Sequence, residues 1–194
     1  MRSPSPGVSR GPVRGELGEA PGSATEWAAL NQPVSPHGGQ LVDLLVTPER
    51  AAELRSAARD WPSWDLTPRQ LCDLELLIVG GFSPLVGFLG RADVDAGCSG
   101  MRLADGTLWP IPVTLSTDDE AIKAGDDVAL IDAETGDIMG TMKVTEKYTI
   151  DKAHECMMVY KTTDLEHPGV KMVMDQGEVN LAGPIKVLTQ GEFP

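Results

Sequence analysis

Apolar and polar positions change period several times along this chain, and each change marks an element. Leu41, Val42, Leu44, Leu45 and Val46 form the first apolar run, just after Pro36-His37-Gly38-Gly39, and ordered structure is expected to begin there. Two helical patterns follow. In the first, Thr47 stands at the N-cap with Pro48 at the first helical position, and Leu54, Ala58 and Trp61 share a face. In the second, Thr67-Pro68-Arg69-Gln70 has the T-x-x-Q form of a capping box, in which side chain and backbone satisfy each other's free N–H groups. Leu71, Leu74, Leu77 and Ile78 then recur at helical spacing, and Gly80 supplies the stop.

Past Gly80 the pattern shortens into strands and turns. Asp105-Gly106 lies between Met101-Arg102-Leu103 and Leu108-Trp109, which predicts a hairpin with a two-residue turn. Ile111 to Leu115 reads as a strand that Pro110 and Pro112 confine to a sheet edge or start, because proline has no N–H to donate. Val128–Ile131 and Ile138–Tyr148 read as two strands joined through a turn at Gly136. Asp151 opens a helix to about Tyr160, a short helix covers Val170–Asp175, and Val179–Leu188 is extended around Gly183-Pro184. Short strands with small helices between them imply an α+β fold built on a partly closed β-barrel with short flanking helices.

Composition changes the picture at the amino terminus. Residues 1–40 hold six Pro and seven Gly, a content too poor in apolar surface to offset the entropy of ordering. A disordered Pro/Gly/Ser-rich tail is therefore expected over residues 1–35, with one domain over residues 36–194. Aromatic residues are only 5% of the chain, so the core must be aliphatic, with Met filling gaps.

Charge excludes one class of partner. The chain carries 29 acidic against 16 basic residues, for a net charge of −13. Arg2, Arg10 and Arg14 balance Glu16, Glu19 and Glu26, so the deficit belongs to the domain. Such a surface repels phosphate backbones and anionic lipid, so neither nucleic acid nor membrane is expected as partner. Cys72, Cys98 and Cys156 are odd in number and widely spaced, which fits reduced thiols in the cytoplasm better than a disulfide framework. No apolar run approaches the roughly 18 residues of a membrane helix, and Pro4, Pro6 and Pro12 interrupt any targeting signal.

Candidate chemistry is thin. His154 and Cys156 lie two apart in a predicted helix and so point to different faces, which reads as a surface His and a core Cys and not as a zinc site. His37 and His167 sit in Gly/Pro-bounded loops and read as hydrogen-bonding loop residues. Gly80, Gly81, Gly87 and Gly90 punctuate a segment with no cation inside it, so packing by Phe82, Leu85, Phe88 and Leu89 is preferred over a phosphate cradle. Ser83 lacks a nucleophile's setting. Asp118-Asp119-Glu120 and Asp126-Asp127 flank a predicted short helix capped by Thr117, where acids complement the helix dipole. Arg55 and Arg59, one helical turn apart, make a small basic patch on a solvated face. No catalytic, cofactor-binding or metal-ligating residue is assigned.

Longer blocks carry a resemblance. Leu66-Thr-Pro-Arg-Gln-Leu-Cys-Asp-Leu-Glu-Leu-Leu77, Gly80-Gly-Phe-Ser-Pro-Leu85 and Gly87-Phe-Leu89 resemble ATP sulfurylase (sulfate adenylyltransferase). So do Pro36-His-Gly-Gly39, Met101-Arg-Leu-Ala-Asp-Gly-Thr-Leu-Trp-Pro-Ile-Pro-Val113, Thr162-Thr-Asp, His167-Pro-Gly-Val170 and Gly183-Pro184. Leu165-Glu166 and Ala182 depart from the residues frequent in that family, and Gly97 and Gly100 fall where it usually has a helix. The resemblance implies the family's amino-terminal PUA-like domain, which precedes a catalytic domain that joins sulfate to the α-phosphate of MgATP. That catalytic domain carries a Gln-x-Arg-Asn-Pro-x-His-x-x-His signature, and no such segment occurs here. The chain alone is therefore expected to be inactive and architectural. Its expected partner is the catalytic domain, covalently continued or a separate chain, with homo-oligomer contacts also implied; the ATP sulfurylase piece is then a truncation or one half of a split enzyme. Two other functions compete: a free-standing PUA-like module binding RNA, and a regulatory domain binding a nucleotide without turnover.

Overall fold

The computed structural model describes residues 34–189, and the tail expected over residues 1–35 lies almost wholly outside them. After a single helical turn at His37–Gly39, α1 spans Pro48–Ala58 and β1 Ser63–Leu66; α2 spans Pro68–Ile78 and β2 Gly87–Phe88. Then come α3 (Arg91–Gly100), β3 (Leu115–Thr117), β4 (Asp127–Asp132), β5 (Ile138–Lys143) and β6 (Glu146–Thr149). Helices α4 (Lys152–Tyr160) and α5 (Pro168–Met174) precede the last strand, β7 (Val179–Val187).

The helix starts follow their capping chemistry. Thr47 accepts from the Arg50 N–H at α1, and both halves of the Thr67/Gln70 capping box form at α2. Asp151 caps α4 through the His154 N–H. Gly80, at φ +73°, follows the C-cap of α2 as the stop that the sequence predicts. Helix α5 begins two residues ahead of expectation because the His167 ring accepts from the Gly169 and Val170 N–H groups, and Pro168 suits the first helical position. Helix α3 forms in spite of Gly97 and Gly100, and it ends where Met101 turns left-handed at φ 53°.

All seven strands join one partly closed barrel, ordered β1-β4-β5-β7-β2, with β3 and β6 also paired to β7. Only β1 and β4 run parallel among the named pairs. Strand β7 organises the rest. Its amino-terminal half lies between β3 and β6, while its carboxy-terminal half meets β5 and, through Gly183 and Pro184, β2. The continuous strand expected over Ile138–Tyr148 is therefore two strands. Pairing passes from Met142↔Ile185 to Glu146↔Ala182, so that three residues of one chain oppose two of β7. This bulge bends the sheet, and Gly183 at φ +154° sits inside the bend, where a Cβ would strike the Lys143 carbonyl.

Three other expectations change. The hairpin around Asp105-Gly106 has three loop residues, closed by Leu103 N–H to the Thr107 carbonyl and by Gly106 N–H to Leu103, with a single bridge at Arg102↔Leu108. The strand expected from Ile111 is confined to Leu115–Thr117, past both prolines. No helix forms between Thr117 and Asp126. Side chains compete there for the backbone: Thr117 Oγ1 accepts from Asp119 N–H, Asp119 from Ala121 N–H, and Lys147 Nζ donates to the carbonyls of Asp119 and Ile122.

The main core lies inside the barrel, where Leu74, Leu115, Ile122, Val128, Leu130, Leu181 and Val187 are fully buried. Ala51 and Leu54 of α1 pack with Leu188, Trp61 and Ile138 as a second cluster. Cys156, Val170 and Val173 form a third between α4 and α5. None of the helices among the described residues is long and apolar enough to cross a membrane.

Candidate functional site

Among the concavities of the described residues, two differ sharply in chemistry. The larger, about 720 Å³, lies between α1 and the β4–β5 turn and is lined by Arg55, Arg59, Trp61, Ser63, Asp132, Thr135 and Asp137. Arg55 and Arg59 do face one space, as their spacing implies, but two carboxylates face it with them. Arg55 already donates to the Leu188 carbonyl at 2.6 Å. Asp132 is engaged by the Glu134 N–H and the Thr135 hydroxyl. Two arginines and two carboxylates share its wall, so their fields oppose each other and the cleft is a poor place to concentrate an anion.

The second, about 510 Å³, is an apolar groove. Gly81, Phe82 and the run Leu108–Val113 form most of its wall, with His37 at one side and Arg69 and Asp73 of α2 at another. Phe82 meets Trp109 edge to face, with ring centroids 5.6 Å apart, and His37 lies 6.1 Å from the same indole. His37 Nε2 is 2.7 Å from the Leu108 carbonyl, which ties the amino-terminal turn to this wall. Pro110 and Pro112 explain why the run stays out of the sheet, since neither has an N–H to pair. What remains is Leu108 at 49% and Ile111 at 56% exposure, with Leu76 and Val79 of the α2 end exposed beside Gly81.

Burial holds two carboxyls above their ordinary values. Burial raises the Asp73 pKa, against the pull of its ion pair with Arg69 at 3.1 Å. Burial also raises Glu155, again opposed by Arg69. The thiol of Cys98 is pushed up to about 11, mostly by burial and further by Glu155 and Asp95. Such a thiol is protonated at neutral pH and a poor nucleophile.

The remaining sequence candidates do not converge. His154 is exposed and Cys156 buried, on separate faces of α4 as their spacing implies. His167 caps α5. Ser83 is buried, donating to the Gly80 carbonyl and accepting from Val42 N–H. Leu85, Phe88 and Leu89 are core residues. Among the described residues, no group of three or more His, Cys, Asp and Glu is arranged to hold a metal ion. Residue chemistry missed the apolar groove and the buried Glu155. The signal for the groove was Leu108-Trp109-Pro110-Ile111-Pro112-Val113, an apolar run that prolines keep from a ladder; nothing in the helical pattern of α4 marks Glu155.

A family model described as a PUA-like domain matches residues 34–190. The sulfate adenylyltransferase of Thiobacillus denitrificans is 56% identical over 165 residues, which are 84% of this chain and 41% of that protein. That of Chlorobaculum tepidum is 51% identical over 166 residues, 83% of this chain and again 41% of the relative. Among solved structures, the hexameric APS kinase from Thiobacillus denitrificans shares the fold with a TM-score of 0.63 at 29% identity, covering 84% of this chain and 28% of that one. The chain thus spans 41% of the length of these two curated relatives. It belongs to the PUA-like domain family and corresponds to the PUA-like region of sulfate adenylyltransferases.

Proposed function

We propose that this chain is the non-catalytic amino-terminal domain of a sulfate adenylyltransferase, supporting a reaction carried out elsewhere in the enzyme. The observation that carries this reading is the 56% identity over 165 residues with part of such an enzyme. The domain occupies residues 36–194 behind the Pro/Gly/Ser-rich tail of residues 1–35, and no residue in it is given a catalytic, cofactor or metal role. MgATP belongs to the catalytic domain, which is the partner, whether continuous with this chain or separate. The hexameric state of the similar APS kinase supports a place in a larger assembly. The free thiols Cys72, Cys98 and Cys156 support a cytoplasmic setting.

Electrostatics favours an architectural role. Joining sulfate to ATP brings two anions together and builds charge on leaving pyrophosphate, which cationic groups must stabilise. This chain has a net charge of −13, and the arginines of the cleft beside α1 share it with carboxylates. The purified chain is therefore expected to release no pyrophosphate from ATP in a sulfate-dependent way. Formation of ATP from adenosine 5′-phosphosulfate and pyrophosphate by this chain alone would overturn the reading.

A further inference from the structure

We infer that the groove walled by Phe82 and Leu108–Ile111 is the face on which the remaining polypeptide of a sulfate adenylyltransferase docks. The inference rests on the reading under Proposed function and adds a surface to it. Three observations lead there.

The first is a mismatch between burial and apolarity. Trp109 is nearly buried at 9% exposure, yet its neighbours Leu108 and Ile111 stand out at 49% and 56%. Val79 at 64% and Leu76 at 40% lie against Gly81, which lines the same groove. Isolated exposed apolar residues are ordinary; Leu108 and Ile111 in the wall, with two more packed against the groove residue Gly81, mark a contact surface.

The second observation is rigidity. The groove wall is held by the Phe82–Trp109 edge contact, by His37 on the Leu108 carbonyl, and by Trp109 N–H to Met101 and Leu89 N–H to Val113. Pro110 and Pro112 fix the backbone between those anchors. A wall ordered in advance loses little entropy on docking. Aromatic and aliphatic anchors in a shaped recess are what the centre of an interface requires.

The third observation selects the occupant. The Thiobacillus denitrificans relative extends far beyond the matched part, which is 41% of its length. The polypeptide outside that part has to place cationic groups where sulfate and a triphosphate meet. This chain, at −13, complements it. A second copy of this chain carries the same negative charge and is repelled. A mainly apolar recess, whose Arg69 and Asp73 pair with each other, then places the contact on an acidic domain.

The test is a chimera in which this 194-residue chain replaces the matched region of the Thiobacillus denitrificans sulfate adenylyltransferase, studied beside the chain alone. The chimera is expected to release pyrophosphate in a sulfate-dependent way. Leu108→Asp and Ile111→Asp are each expected to lower that rate about tenfold and to lower the melting temperature of the chimera. The same substitutions are expected to leave the melting temperature of the isolated chain unchanged. A photo-crosslinking residue at position 111 of the chimera is expected to attach to polypeptide beyond the exchanged region. An active chimera that tolerates both substitutions overturns the docking face and leaves the architectural reading standing. An inactive chimera overturns that reading, and the docking face with it. Crosslinks to residues 1–33, or to the groove of a second copy, assign the face to those occupants and overturn the inference.

Discussion

Strand β7 and the run Leu108–Val113 are both short apolar segments interrupted by proline, and the fold treats them in opposite ways. Val179–Val187 pairs with β2, β3, β5 and β6, and Leu181 and Val187 have no exposure at all. Its proline, Pro184, sits at a bend where pairing changes partners. The second run carries two prolines, bonds through its backbone to Met101 and Leu89, and leaves Leu108 and Ile111 in solvent. Apolar surface in β7 holds the domain together. The exposed half of Leu108 and Ile111 adds no burial to the isolated fold, so a different requirement accounts for it. Stability and association are thus assigned to separate parts of the molecule.

The most damaging way to test that separation is Gly183→Ala. Its Cβ would meet the Lys143 carbonyl at a backbone φ of +154°, so the corner must open. We expect a loss above ~4 kcal/mol, seen as the disappearance of a cooperative urea transition. A variant that melted like the parent would show that the corner does not hold the barrel.

Glu155 tests an intermediate case, a charged group held by the fold against its own solvation. Its folded pKa is raised from the ordinary 4.5, first by burial and against the pull of Arg69. A raised carboxyl contributes stability in its protonated form, fully present below the ordinary value and lost as pH rises through the raised one. At pH 7 the ionised form is therefore a burden. Glu155→Gln is expected to raise the melting temperature at pH 7, with the gain shrinking as pH falls through the raised value and gone below 4.5. A gain that is constant across that range would mean the effect is packing and not charge.

The smallest effect belongs to the groove. Ile111→Asp is expected to change the stability of the isolated chain by less than about 0.5 kcal/mol, since the side chain is 56% exposed. A loss comparable to a core substitution would erase the distinction between the two segments.

Local chemistry was legible wherever it is decided within a few residues. Thr47, Thr67-Gln70 and Asp151 announce helix starts, because the groups they satisfy lie three residues away. The pairing His37 makes with the Leu108 carbonyl spans 71 residues, and no window along the chain contains it. The break in Ile138–Tyr148 was hidden for a related reason. Both halves form strands, and only the bend of β7 at Gly183 dictates that the two halves separate. Acids after Thr117 look like the first turn of a helix until Lys147, from a distant strand, takes the carbonyls of Asp119 and Ile122.

Residue order alone was enough to establish an acidic α+β domain with aliphatic packing and well-capped helices, and its longer blocks carried the likeness to sulfate adenylyltransferase. Those properties depend on nearest neighbours, on period and on total charge, all of which survive in one dimension. Tertiary structure decided which apolar residues are consumed by the core and which are left for a partner. Leu108 and Leu181 are the same residue in similar surroundings along the chain; one is 49% exposed and the other fully buried. The difference arises because burial depends on what other elements fold over a side chain, and that is a property of the assembled barrel.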